Sequence, residues 1–200
     1  MKKVIKNVAL FVAACSAVTA SVASTLDFES APKAIYTELT VDGVTFTRGG
    51  EQFAVADWGA DTDAFSGNSI GPWRPYAVLP NAAVAFRATL TGGFSSFSIG
   101  MGDTGGDDDQ GRLEAYDALG NLLDSDSLSV AAGVSGGGYL GVSGVKPIAY
   151  VLFYEVGSYP GVVAWDNVSF TAAVPEPQSG LLMAAGLGTM GLLARRRRRG

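Results

Sequence analysis

The sequence contains no histidine and a single cysteine, Cys15. The first absence excludes a Ser-His-Asp triad, an imidazole general base and imidazole metal ligands. The second excludes an intrachain disulfide and a thiolate zinc cage. Charge is scarce as well, at 16% of 200 residues, and it is unevenly spread. Lys2, Lys3 and Lys6 stand at one end, and Arg195, Arg196, Arg197, Arg198 and Arg199 at the other. Between them, residues 24–174 hold 18 acidic side chains against 6 basic ones, a balance of −12 that the whole-chain value of −5 conceals. A body this acidic repels nucleic-acid backbones and suits cations or neutral partners such as glycans.

Both ends read as targeting segments. Residues 1–23 run from a basic start through a short apolar stretch to small-x-small sites at Val18-Thr19-Ala20 and Ser21-Val22-Ala23. That is the pattern of a secretory signal peptide cut by signal peptidase. Val12-Ala13-Ala14-Cys15 resembles a bacterial lipobox, so a lipoprotein anchor at Cys15 is the alternative. Ordinary cleavage leaves a mature chain without cysteine, which an oxidising compartment tolerates.

At the other end, residues 173–179 contain Pro175-Glu176-Pro177, residues 180–194 are apolar, and residues 195–200 carry the five arginines. As a helix the apolar run spans about 22 Å at ~1.5 Å per residue, against a bilayer core of about 30 Å. The arginines hold its end on the cytoplasmic side. Pro175 and Pro177 keep the preceding segment extended, a form that a processing enzyme can grip. These three parts, in this order, resemble the PEP-CTERM sorting signal. The resemblance implies transient retention in the inner membrane of a Gram-negative bacterium. It also implies processing near Pro175-Glu176-Pro177 by an exosortase, then release to the outer surface or an exopolysaccharide matrix. A permanent tail anchor is the simpler alternative.

The body, residues 24–172, is rich in Val, Phe, Tyr, Thr, Ser and Gly and lacks long helical periodicity. Strands are expected at 25–29, 38–41, 44–48, 52–57, 76–79, 82–90, 94–101, 112–117, 122–130, 139–142, 148–156 and 162–171. Asp42-Gly43 and Leu119-Gly120-Asn121 supply hairpin turns. Residues 148–156 are apolar in both phases, which marks a central strand. The expectation is an all-β, antiparallel, jelly-roll-like β-sandwich, with an immunoglobulin-like sandwich as the alternative. Its layout, LDFE early and WDNVSF late, resembles secreted lectin-like and carbohydrate-binding β-sandwiches.

Four places could carry chemistry. Asp103, Asp107, Asp108 and Asp109 form the densest acid cluster, with glycines that permit the turning backbone calcium favours. Asp57, Asp61 and Asp63 form a second. Asp166 shares its phase with Val168 and Phe170, which predicts an inward carboxylate in need of a cation or several donors. The resemblance to carbohydrate-binding sandwiches implies a structural calcium there, held by Asp27 or Glu29 with Asp166. Trp58 and Trp73 flank a polar stretch with Asp61 and Asn68, a possible glycan contact in which rings stack on sugars and polar groups bind hydroxyls. The repeated GVSG of residues 133–144 reads as a flexible, glycine-rich connection. Asp124 and Asp126 read as turn and surface residues, and Trp165 as packing. No carboxylate pair stands out for glycoside hydrolysis. The expectation is an exported, non-enzymatic surface or matrix protein that binds glycan with calcium support. A purely structural protein is the first alternative and a glycan-active enzyme the second.

Overall fold

The structure is a computed structural model that describes residues 22–57, 67–73, 84–103, 108–131, 136–156 and 163–174. Residues 1–21 of the expected signal peptide with Cys15, the strand at 76–79, the apolar run at 180–194 and the arginines at 195–199 lie outside the described residues.

Eleven strands form: β1 (Ala23–Leu26), β2 (Ala34–Tyr36), β3 (Glu38–Val41), β4 (Val44–Thr47), β5 (Phe53–Ala56), β6 (Ser69–Pro72), β7 (Phe86–Asp103), β8 (Asp109–Tyr116), β9 (Leu122–Val130), β10 (Gly136–Glu155) and β11 (Ala164–Ala172). Every pairing is antiparallel. Two long strands, β7 and β10, each serve both layers of a β-sandwich. In one layer the order is β3-β4-β7-β10-β8-β9, using the start of β7 and the end of β10. In the other it is β2-β5-β6-β11-β7-β10, using their opposite halves, with β1 also on β11.

The two expected strands at 82–90 and 94–101 are therefore one strand with a bend at Gly92-Gly93. Gly93 has φ +82°, and a Cβ there would stand 2.6 Å from the Ile148 carbonyl oxygen, so only glycine fits. The expected strands at 139–142 and 148–156 likewise fuse into β10, with register shifts between Ser143 and Tyr150. Most of the GVSG repeat is consequently strand and not a flexible connection. β2 and β6 were not foreseen. The β6 sequence, SIGP, holds a Gly and a Pro that mask its strand character, and Pro72 is tolerated because it ends the strand.

The core lies between the layers and is aromatic. Phe86 stacks on Phe153 at 5.2 Å, Phe153 meets Trp165 edge-on at 5.2 Å, and Phe53 meets Phe86 at 5.5 Å, so the rings join the two layers. Each fully buried ring or aliphatic side chain contributes about 1.5–3 kcal/mol. Trp165 is packing, as its sequence context suggests.

Candidate functional site

Asp166 lies on the opposite face from the one its phase predicted. Trp165 pairs with Met101 and Ile70 on the core side, and Asp166 pairs with Gly100. A bulge follows, with Asn167 at φ 51° and the register shifted before Ser169. The bulge inserts one residue and flips the phase, so Val168 returns to the core while Asp166 points away from it. Asp166 is nevertheless only 2% exposed. Its Oδ1 has no hydrogen-bond partner among the described residues.

Other oxygens gather nearby. The antiparallel register of β6 on β11 sets Ser69 opposite Asp166, and the Ser69 hydroxyl is also buried without a partner among the described residues. The segment after β1 brings Asp27 and Glu29 up to the same region, since Leu26 pairs with Val168. Phe28 sits between them at φ 54° with its ring buried against Phe46, which leaves its two acidic neighbours on the other side of the backbone. Glu29 accepts a hydrogen bond from the Asn68 backbone N–H at 2.7 Å. Gly67 has φ +89°, a left-handed conformation that favours glycine, and it lies against that carboxylate. Burial pushes the Asp166 carboxyl up to about 7. The Asn167 backbone N–H opposes that shift, and the charges of Asp27 and Glu29 add to it. Among the described residues, no three acidic side chains stand close enough to form a ready-made metal cage.

The other predicted residues are placed apart. Asn68 is buried, and its side-chain amide donates to the Ala31 carbonyl at 3.3 Å, which anchors the loop. Trp73 is 43% exposed beyond the end of β6. Trp58, Asp61, Asp63 and Asp107 lie outside the described residues. Asp103 ends β7, paired with Gly136. Asp108 is exposed, whereas Asp109 opens β8 and is 2% exposed. Asp57 pairs with Lys33 at 3.6 Å on the surface.

A second site emerges on the outward face of the β7-β10-β8 layer. Strand alternation sends Phe86, Ala88, Leu113, Ala115, Val151 and Phe153 inward and the residues between them outward. Tyr116 and Tyr150 are directly opposite on β8 and β10 and stack at 5.0 Å with an interplanar angle of 11°. The Arg87 guanidinium lies 3.8 Å from the other face of the Tyr150 ring. Glu114 is the hub of this face. It accepts from Tyr116 Oη at 2.7 Å and Arg112 Nε at 3.0 Å, and it bonds Tyr154 as well. Partial burial raises the Glu114 carboxyl, but the bonds from Tyr116, Arg112 and Tyr154 outweigh it and hold it below the usual range. The bond to Glu114, with some burial, pushes Tyr116 up to about 12. Sequence reading passed over this face because Arg87, Tyr116 and Tyr150 stand far apart in the chain and become neighbours only by strand pairing.

Asp124 and Asp126 are also more than surface residues. Their Oδ2 atoms accept the Ser143 and Gly141 backbone N–H groups, each at 2.9 Å, and their Oδ1 atoms take the N–H of the next serine. They close the seam between β9 and the first half of β10, an inward use of charge that protects a strand edge.

Residues 173–199 match the PEP-CTERM protein-sorting motif. The motif makes the chain an exported protein of a Gram-negative bacterium and a substrate for processing by exosortase. No curated protein matches the chain in sequence. Among solved structures, a DUF4465 family protein from Bacteroides caccae is similar at 11% identity and a TM-score of 0.48, over 76% of this chain and 99% of that one. The family 11 carbohydrate-binding module from Clostridium thermocellum, solved with a β-1,3-1,4-mixed-linked tetrasaccharide, is similar at 10% identity and a TM-score of 0.41, over 77% and 98%.

Proposed function

We propose that the mature domain is a non-enzymatic component of the outer surface or exopolysaccharide matrix that binds glycan, after a transient stay in the inner membrane. The observation that carries this reading is the outward face built on Tyr116, Tyr150 and Tyr154. Glu114 holds the Tyr116 and Tyr154 hydroxyls, and the Tyr150 ring is held by Tyr116 and Arg87, before any ligand arrives. A flexible, hydroxyl-rich polymer binds better to groups already ordered, because less side-chain entropy is lost. Tyrosine offers an apolar body and a polar tip, which matches the two sides of a sugar ring.

Calcium support belongs to the Asp166 region. The donors there are all hard oxygens, which is the chemistry calcium takes six to eight times over. Asp166, with its orphaned oxygen, is the residue that would hold the ion, joined by the Ser69 hydroxyl and by Asp27 or Glu29. A bound cation supplies the positive charge that the described side chains around Asp166 lack.

The test uses the full chain, solubilised in mild detergent, against exopolysaccharide extracted from the host, with calcium and with a chelator. Saturable binding that weakens on chelation is the expected result. No binding in either condition overturns the glycan reading and favours a purely structural protein. Release of reducing ends from the polymer would instead make it an enzyme.

A further inference from the structure

We infer that the glycan face around Arg87 is built to take a sugar bearing a carboxylate. The inference rests on the glycan reading above and narrows it to a chemical class. Where β7, β10 and β8 pair side by side, at residues 86–89, 150–154 and 112–116, the charged groups are Arg87, Arg112 and Glu114. Arg112 and Glu114 pair at 3.0 Å and neutralise each other. Arg87 is left as the uncompensated charge. It is exposed, and among the described residues it makes no ion pair.

Arg48 and Lys146 also make no ion pair among the described residues, but Arg48 is spent on the Gln52 carbonyl and the Phe86 ring, so what marks Arg87 is its exposure on the tyrosine face. Lys33 takes Asp57, and Arg112 takes Glu114. Arg87 instead lies over Tyr150, whose far side is backed by Tyr116, so three groups on three neighbouring strands form one stack. Contact with the Tyr150 ring restrains the guanidinium while the residue stays exposed to solvent. A planar fork of donors matches a carboxylate in two parallel hydrogen bonds. Lysine in this place would offer a mobile point charge and no fork.

The acidic remainder of the body does not forbid such a ligand. At physiological ionic strength its repulsion is screened over about 8 Å. The contact at Arg87 is direct, and the pair beside it is neutral. The geometry suits a carboxylate presented by a chain of sugars, whose rings can lie on the neighbouring tyrosines.

Polygalacturonate and its methyl ester share a backbone and differ in charge, and they serve as probes. Binding of the full chain in detergent is measured to each by affinity electrophoresis. The wild type is expected to retain the free acid and to bind the ester about tenfold or more weakly. Arg87→Ala should bind the two forms alike. Arg87→Lys should keep part of the preference, since it retains the charge and loses the fork. A thermal melt on each variant verifies that the fold is kept. If the wild type binds both forms equally or neither, or if Arg87→Ala keeps the preference, the inference is overturned. Binding of the host exopolysaccharide that survives Arg87→Ala would leave the broader glycan reading standing.

Discussion

Glu114 and Asp166 are two poorly exposed carboxylates in one small domain, and their surroundings treat them in opposite ways. Glu114 sits among donors, and its hydrogen bonds outweigh the cost of burial. Asp166 is hidden beside two further acids, with an oxygen that no described group bonds. The first arrangement is complete without a ligand and makes a rigid surface. The second is incomplete, and either a proton or a cation improves it. The difference shows why an acidic count alone assigns no role: the same functional group is scaffold in one place and an unfilled demand in the other.

The largest expected effect breaks this contrast at Asp166. Folded, the group holds its proton up to about 7 against an ordinary value of 3.8. The folded chain therefore binds the extra proton between these values, so stability falls as pH rises through that window and levels off above it. At roughly 1.36 kcal/mol per unit, the loss is up to about 4 kcal/mol. Denaturant unfolding at pH 4.5 and pH 8 should show this fall in the wild type without calcium. Asp166→Asn, which cannot ionise, should remove it and be the more stable protein at pH 8. Calcium at pH 8 should raise the wild-type melting temperature and leave Asp166→Asn unmoved. A flat pH profile in the wild type would mean that the carboxylate is already compensated.

Glu114→Gln attacks the complete site. The amide cannot accept from Tyr116, Arg112 and Tyr154 together, and a cost of about 1–3 kcal/mol follows. Unlike Asp166→Asn it should destabilise at both pH 4.5 and pH 8, and calcium should not restore it. It should also weaken glycan binding, because the tyrosines lose their anchor.

The smallest effect concerns the seam. Replacing Asp124 or Asp126 singly by alanine removes the acceptor of the Ser143 or the Gly141 amide. A global loss of about 1 kcal/mol per bond is expected, together with faster hydrogen exchange at that amide. Unchanged exchange at Gly141 and Ser143 would show that the carboxylates do not hold the edge.

Much of this protein is written in local pattern. Alternation at Val84, Phe86, Ala88 and Leu90 and at Phe97, Ile99 and Met101, the Asp42-Gly43 turn, and the doubly apolar run of β10 point to an antiparallel sandwich without any knowledge of pairing. The sorting tail is equally legible, because its signal is a linear order of Pro-Glu-Pro, apolar run and arginines. A single extra residue at Asn167 was enough to send Asp166 to the other face, since a period of two has no memory across a bulge. Tyr116, Tyr150 and Arg87 carry no shared mark in the chain, and their stack exists only because β7, β10 and β8 pair in one register. Side-chain type and spacing along one strand are properties of the sequence. Which side chains meet across strands, and which carboxylate finds donors, is settled by register and burial, and those belong to the folded chain alone.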